Sequence, residues 1–103
     1  MNIFERLLPK VKANLILFHN EDDIILLGFI HSAVDYAEGF QKQKYGRKKL
    51  SPATEQAVII LSSHFYESRD GSTGGFFADY VGAVANVWTT VNRLLAMDKI
   101  VEV

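Results

Sequence analysis

The chain has 103 residues and a formal net charge of −1 at pH 7, with 49% hydrophobic and 22% charged residues. These values predict a single folded domain over residues 1–103 and argue against a disordered tail or a generally basic nucleic-acid binder. The absence of cysteine excludes disulfide scaffolds, thiolate zinc sites and cysteine nucleophiles. No apolar run reaches the roughly 18 residues that cross a bilayer, so we expect no membrane partner.

The first segment has helical spacing that Pro9 interrupts. Because proline is tolerated at the first turn of a helix and disruptive inside one, we expect a short helix that begins near Leu8 or Pro9. Leu8, Val11 and Leu15 would then share one face. The charged residues in its start, MNIFERLLPK, also predict that no secretory signal peptide is present.

The second segment opens with the acidic run NEDD and continues as a predicted helix over residues 24–40. Asn20 suits the N-cap, with Asp23 three residues later in a capping-box position. A calcium loop is excluded because the alternating D-x-D-x-D-G pattern is absent. The apolar stripe consists of Leu26, Phe29, Ile30, Ala33, Ala37 and Phe40. On the opposite face His31 and Asp35 are one turn apart, but two candidate ligands without a third do not make a zinc site.

A block of five cations follows, together with the aromatic residue Tyr45 and a turn glycine, Gly46. The cations are Lys42, Lys44, Arg47, Lys48 and Lys49. One interpretation is a solvated connector whose first lysines complement the C-terminus of the preceding helix. The other is a basic loop that faces a phosphate backbone and binds it without sequence readout.

The central helix is predicted to begin at Ser51 and Pro52, with serine as N-cap and proline at the first helical position. Its main apolar stripe consists of Ala57, Val58, Leu61 and Phe65. Ile59 and Ile60 point elsewhere, and a helix that is apolar nearly all round is buried on more than one side. Another segment or another subunit would cover that second side. His64 borders the main stripe, and we interpret it as a histidine at the edge of the core.

The last third of the chain begins with the glycine-rich run DGSTGG, a predicted flexible turn that lacks the lysine of a phosphate-binding loop. Residues 76–87 have no clean period and predict either a loop with short strands or a helix that begins after Asp79. Residues 88–97 predict the last helix, capped by Thr89 or Thr90. The following DKIVEV predicts an extended tail that adds to a neighbouring edge.

Surplus apolar and aromatic residues on so small a domain indicate a contact between copies of the chain. The candidate contact residues are Ile59, Ile60, Phe76, Phe77, Tyr80 and Trp88. The alternative for Phe76, Phe77 and Tyr80, which stand beside the glycine-rich turn, is that they cap the small core.

The order of these segments resembles the small head–tail connector proteins of long-tailed phages, a family of head-completion and DNA-packaging proteins. Four features match in order: NEDD before the apolar helix IILLGFIHSAVDYAEGF, a proline-led helix that ends in SHFYESRD, a glycine-containing loop, and the terminal helix VNRLLAMDK. The most distinctive is SHFYESRD, whose signature residues are His64, Tyr66, Glu67 and Arg69. The chain departs from the family at its end, where Met97-Asp98-Lys99 stands in place of a Pro-Tyr-Arg type of ending.

The resemblance implies an all-α fold, a small bundle of about four helices with a flexible glycine-rich loop before the last helix and an extended C-terminal tail. It implies a homo-oligomeric ring below the portal that extends the DNA channel and docks tail-side proteins. The implied partners are other copies of the chain, the portal protein, a tail-completion protein and packaged double-stranded DNA, which is contacted non-specifically. The implied location is the head–tail junction of the virion, after assembly in the bacterial cytoplasm.

The resemblance implies no catalytic activity, and we expect no cofactor and no metal. The alternative function is a small helical nucleic-acid-binding or regulatory module that uses the basic loop at residues 42–49. A third hypothesis is an enzyme built around His31, Asp35 and His64, for which the sequence offers no matching nucleophile.

Overall fold

The computed structural model describes residues 2–46, 49–69 and 77–98, with side chains described from residue 85 onward in the last range. The helices are α1 (Ile3–Leu15), α2 (Asp23–Gln41), α3 (Pro52–Ser68) and α4 (Phe77–Met97). No strand occurs in these three ranges, and the predicted all-α bundle of four helices is confirmed. α3 contacts each of the other helices, in agreement with the prediction that it is the central helix.

All four helices contribute to one core. The largest fully buried apolar side chains are Leu7 and Val11 from α1, Leu26 and Ile30 from α2, Val58 and Leu61 from α3, and Val91 and Leu95 from α4. Burying each such side chain contributes roughly 1.5–3 kcal/mol, so no single helix holds the fold by itself.

α1 begins at Ile3, and the prediction of a start near Leu8 or Pro9 is wrong. Asn2 caps the helix: its Oδ1 accepts from the Glu5 N–H at 2.8 Å, and its Nδ2 donates to Glu5 Oε1 at 2.9 Å. Pro9 lies inside α1 on its exposed side, where water can reach the carbonyl group that the missing N–H leaves unpaired. The buried stripe of this helix is Ile3, Leu7 and Val11. Burial of that stripe offsets the cost of the proline.

α2 begins at Asp23, one residue before the predicted start at residue 24, but its cap differs from the prediction. Its N-cap is Asp22 rather than Asn20. The Asn20 side chain instead accepts a hydrogen bond from Lys12 Nζ at 2.6 Å, and the same ammonium lies 2.8 Å from Asp23. The Asp22 carboxylate makes no cap hydrogen bond and reaches Tyr66 in α3. The acidic run therefore connects helices in addition to starting one.

α3 begins as predicted, with Pro52 in its first turn and Ser51 Oγ accepting from the Thr54 N–H at 3.2 Å. Its second apolar side is covered by the chain itself. Ile59 is only 8% exposed, and Ile60 is partly buried against the same core. Of the two alternatives for this side, coverage by another segment of the same chain therefore accounts for the burial of Ile59, since α1, α2 and α4 all contact the central helix.

α4 is one continuous helix from Phe77 to Met97, so the prediction of a separate last helix over residues 88–97 is wrong. For residues 77–87 the helical alternative holds and the alternative with strands does not. Neither Thr89 nor Thr90 starts the helix, and Thr89 Oγ1 donates to the Ala85 carbonyl within it at 2.9 Å. The predicted turn at 70–75 and residues 99–103 of the predicted tail at 98–103 lie outside the described residues.

Candidate functional site

Two of the four sequence features that carry the resemblance, NEDD and SHFYESRD, meet at a junction between α2 and α3. The Tyr66 hydroxyl donates a hydrogen bond to Asp22 Oδ2, and Arg69 Nη2 lies 3.8 Å from the same oxygen. The Arg69 guanidinium also lies over the Tyr66 ring, 3.9 Å from its centroid, and donates to the Tyr66 carbonyl at 2.6 Å. We call these three residues the motif junction.

The electrostatics of the motif junction favour a protonated tyrosine. The hydrogen bond to Asp22 raises the pKa of Tyr66 above its usual value, and burial and the charge of Asp22 add to that shift. Arg69 partly opposes it. Tyr66 thus serves as a neutral donor that fixes a carboxylate, and its contacts are those of a structural clasp between two helices.

The other two signature residues lie elsewhere. Glu67 is exposed, one position beyond Tyr66. His64 is half-buried, with its ring centroid 6.2 Å from that of Phe65 and 6.5 Å from that of Trp88. This position agrees with the interpretation of His64 as a histidine at the edge of the core.

Trp88, a candidate oligomer contact, is half-buried against its own chain. Its ring centroid lies 5.1 Å from that of Tyr36 in an edge-on arrangement and 6.3 Å from that of Phe65. Tyr36 is fixed in turn by a 2.6 Å hydrogen bond from its hydroxyl to Asn92 Oδ1. Packing between α2, α3 and α4 therefore explains much of the apolar surface of Trp88 without a second copy. Of the other candidates, Phe76 and the side chains of Phe77 and Tyr80 lie outside the described residues.

The basic loop is anchored by an aromatic residue. Tyr45 and Leu50 are buried, and the Tyr45 N–H donates to Glu38 Oε2 at 2.8 Å. Lys44 and Lys49 are exposed, and Lys44 lies 3.7 Å from Glu38. Lys42 is exposed too, at the left-handed position that ends α2, whereas Arg47 and Lys48 lie outside the described residues. Solvent exposure of the described cations is compatible with both interpretations of this block.

A buried polar network beneath the basic loop was not predicted from the sequence. Gln41 Nε2 donates to Thr54 Oγ1 at 2.9 Å and to the Leu95 carbonyl at 3.0 Å, and its Oε1 accepts from the Tyr45 hydroxyl at 2.5 Å. Asp98 accepts from Thr54 Oγ1 at 3.0 Å. Burial raises the pKa of Tyr45 to about 12, with the charges of Glu38 and Asp98 adding to the shift. The network joins α2, α3 and α4. Its one sign in the sequence is that Gln41 precedes Tyr45 by four residues.

Four large apolar side chains are exposed where α1 meets α2, a second feature that the sequence did not predict. We call them the apolar corner: Ile16, Phe18, Ile24 and Ile25. Phe18 is 92% exposed and Ile24 is 85% exposed. In the sequence, the only feature that distinguishes Phe18 is its position between two helices. Ile24 cannot be distinguished from the apolar run that contains it. An exposed group of this kind indicates a contact surface.

The residues of the enzyme hypothesis are not gathered into one site. His31 is exposed on α2, and its ring stacks on that of Phe4 in α1 with centroids 3.5 Å apart. His64 lies among the aromatic rings of α3 and α4. Among the described residues no group of three or more histidine, aspartate or glutamate side chains is placed to hold a metal ion. None of the helices in that part of the chain is both long enough and apolar enough to cross a membrane.

No family model matches the chain, and neither a curated protein nor a solved structure matches it.

Proposed function

We propose that the chain is a structural assembly protein, a head–tail connector whose copies form a ring below a phage portal. The observation that carries the proposal is the motif junction. NEDD and SHFYESRD are far apart in the sequence, yet Asp22 from the first contacts Tyr66 and Arg69 from the second. A shared contact gives these two motifs a common structural reason to occur together in one chain.

The apolar corner supports the assembly part of the proposal. It lies at the same end of α2 as Asp22, and burying Phe18 and Ile24 against a second copy would remove two large apolar side chains from water. A ring needs a heterologous contact, in which this corner meets a different face of the next copy. The function therefore assigns a neighbouring copy as the occupant of the apolar corner.

The basic loop supports the DNA-channel part of the proposal. It follows the opposite end of α2, a helix of 19 residues, so about 28 Å separates it from the apolar corner. One end of the molecule can therefore contact a neighbour while Lys44 and Lys49 remain exposed to solvent, where they can face DNA. A few exposed lysines suit brief contact with a moving duplex better than tight binding, because each fixed phosphate contact would retard passage.

Light scattering on the purified protein tests the ring. We expect a mass several times the 11.6 kDa of one chain, and a lower mass for the double variant Phe18→Ser and Ile24→Ser. The matched control is Met97→Ser, which changes a side chain that is 73% exposed at the end of α4 and should leave the mass unchanged. A strict monomer at high concentration would overturn the proposal.

Salt-dependent duplex binding separates the proposal from its alternative. A monomer that binds duplex DNA with a steep salt dependence through Lys42, Lys44 and Lys49 would favour the small nucleic-acid-binding module. For the connector, charge reversal at Lys48 and Lys49 should impair DNA retention in particles more than it impairs folding. Normal particles from that variant would count against a DNA-facing loop.

A further inference from the structure

An open cleft of about 360 Å³ lies between α1 and the segment that leads into α3. Ile3, Leu7, Pro9 and Leu50 line it and give it an apolar floor. A volume of this size is in the range of roughly 300–1,000 Å³ that is typical of ligand sites in proteins. None of the residues that line it belongs to the motif junction or to the apolar corner, and Lys49 is the one lining residue that it shares with the basic loop.

Some of the charged side chains that line the cleft have a charged or polar partner, and others have none among the described residues. The Glu5 carboxylate accepts from Asn2, and the Glu55 carboxylate lies 2.5 Å from Lys10 Nζ. Arg6 has no ion pair among the described residues, and its Nε is buried without a hydrogen-bond partner there. A buried donor without an acceptor costs free energy, and a guanidinium is suited to pairing with a carboxylate through two parallel hydrogen bonds.

A second free cation stands on the other wall of the cleft. Lys49 is exposed and also forms no ion pair with the described residues. The cleft therefore offers an apolar floor and two available positive charges, one at Arg6 and one at Lys49. A ligand that satisfies both features needs aliphatic groups and an anionic group close together. A nucleic-acid backbone supplies the anion without the aliphatic groups.

We propose that this cleft binds a short peptide segment in which one carboxylate side chain is flanked by aliphatic side chains. The carboxylate pairs with Arg6 and Lys49, and the aliphatic side chains cover Ile3, Leu7 and Leu50. This peptide site is independent of ring formation through the apolar corner, so either can be correct without the other.

Fluorescence anisotropy with a labelled peptide tests the site. The probe is Ile-Val-Glu-Val with an amidated C-terminus, so that the glutamate side chain is its only carboxylate; it matches the sequence at residues 100–103 of this chain. We expect saturable binding to the full-length protein and about tenfold weaker binding of Ile-Val-Gln-Val, because a hydrogen bond to a charged group is lost. Equal binding of the two peptides would overturn the proposal.

Variants of the protein locate the probe. Arg6→Gln and Lys49→Gln should each weaken binding of Ile-Val-Glu-Val, the former by about tenfold. Lys44→Gln is the matched control, since Lys44 is also an exposed lysine of the basic loop and does not line the cleft. Far-ultraviolet circular dichroism shows whether each variant is folded. If Arg6→Gln does not fold, Lys49→Gln still tests the proposal. Equal weakening by Lys44→Gln would show that binding is merely electrostatic and would overturn the assignment to the cleft.

The chain's own carboxylate at Glu102 has the same chemistry as the probe, so the titration is repeated on the full-length variant Glu102→Gln. Binding that is equal or tighter in this variant supports the site. No binding to either the unaltered chain or Glu102→Gln would overturn the proposal.

Discussion

The Tyr66 hydroxyl donates a hydrogen bond to Asp22, which connects the last turns of α3 to the residue that precedes α2. We expect Tyr66→Phe to lower the free energy of unfolding by about 1.5 kcal/mol, the usual effect of removing a hydrogen bond to a charged group. The phenylalanine ring would still lie beneath Arg69. Urea denaturation followed by circular dichroism measures the change.

The matched variant is Tyr66→Leu, which removes both the hydroxyl and the ring beneath Arg69. It should lower stability further than Tyr66→Phe, because the cation–π contact and part of the buried surface are lost as well. Unchanged stability in Tyr66→Phe would mean that the Asp22 contact has no net effect on the fold.

Stability should fall at high pH because of Tyr45. Burial raises its pKa to about 12 in the folded protein, whereas an unfolded tyrosine titrates near a pKa of about 10. The folded chain therefore holds its proton longer than the unfolded chain. The stabilising contribution is complete below about pH 10 and is lost as the pH rises from there to about 12. Tyr66, whose pKa is also raised, contributes in the same direction.

Urea midpoints at about pH 9 and about pH 11 measure this loss. Tyr45→Phe should be less stable than the unaltered protein at the lower pH, because Gln41 loses a hydrogen-bond donor. Its stability should also change less between the two pH values. A pH dependence identical to that of the unaltered protein would show that Tyr45 does not titrate in the way described.

The parts of the fold that the sequence predicted depend on local patterns. Leu26, Ile30 and Ala37 follow a helical period, and all three are buried. Ser51 and Pro52 start α3 because a cap and a first-turn proline act within one turn of the chain. Local rules were sufficient wherever burial and propensity favoured the same structure.

The predictions failed where a distant contact or exposure to solvent decided the outcome. Pro9 is accommodated inside α1 because it faces water, which no local pattern reports. Asn20 accepts a hydrogen bond from Lys12, and Asp22 accepts one from Tyr66, so neither side chain caps α2. The motif junction could be suspected from the resemblance, but its geometry required the packing of α2 on α3.

The buried amide of Gln41 should be important for stability, because it joins three helices. Gln41→Leu would leave the Tyr45 hydroxyl without its acceptor, whereas the Leu95 carbonyl would lose Gln41 but keep the Asp98 N–H as a donor. We expect a loss of roughly 2 kcal/mol, since an unsatisfied buried group costs about 1–3 kcal/mol. Thermal denaturation measures the loss.

The control for Gln41→Leu is Gln43→Leu. The Gln43 side chain donates a 3.3 Å hydrogen bond to Gln41 and is partly exposed, so its replacement should have a much smaller effect. Equal effects of the two substitutions would contradict a central role for Gln41 in the polar network.

Two adjacent serines in α3 should respond in opposite ways to replacement by alanine. Ser62 is fully buried, and its hydroxyl has no hydrogen-bond partner among the described residues. Ser62→Ala should therefore raise the free energy of unfolding by about 1 kcal/mol, because an unsatisfied polar group is removed and alanine favours the helix. In a domain of this size the melting temperature should rise by roughly 4–8 °C.

Ser63 is the matched comparison, since it is also buried but its hydroxyl accepts a 2.8 Å hydrogen bond from Asn14 Nδ2 in α1. Ser63→Ala should lower the free energy of unfolding by about 0.5–1 kcal/mol, because the lost hydrogen bond outweighs the gain in helix propensity. Differential scanning calorimetry on both variants gives the two shifts directly. A fall in melting temperature for Ser62→Ala would mean that its hydroxyl has a partner in solution, and the hydration of the core around α3 would have to be reconsidered.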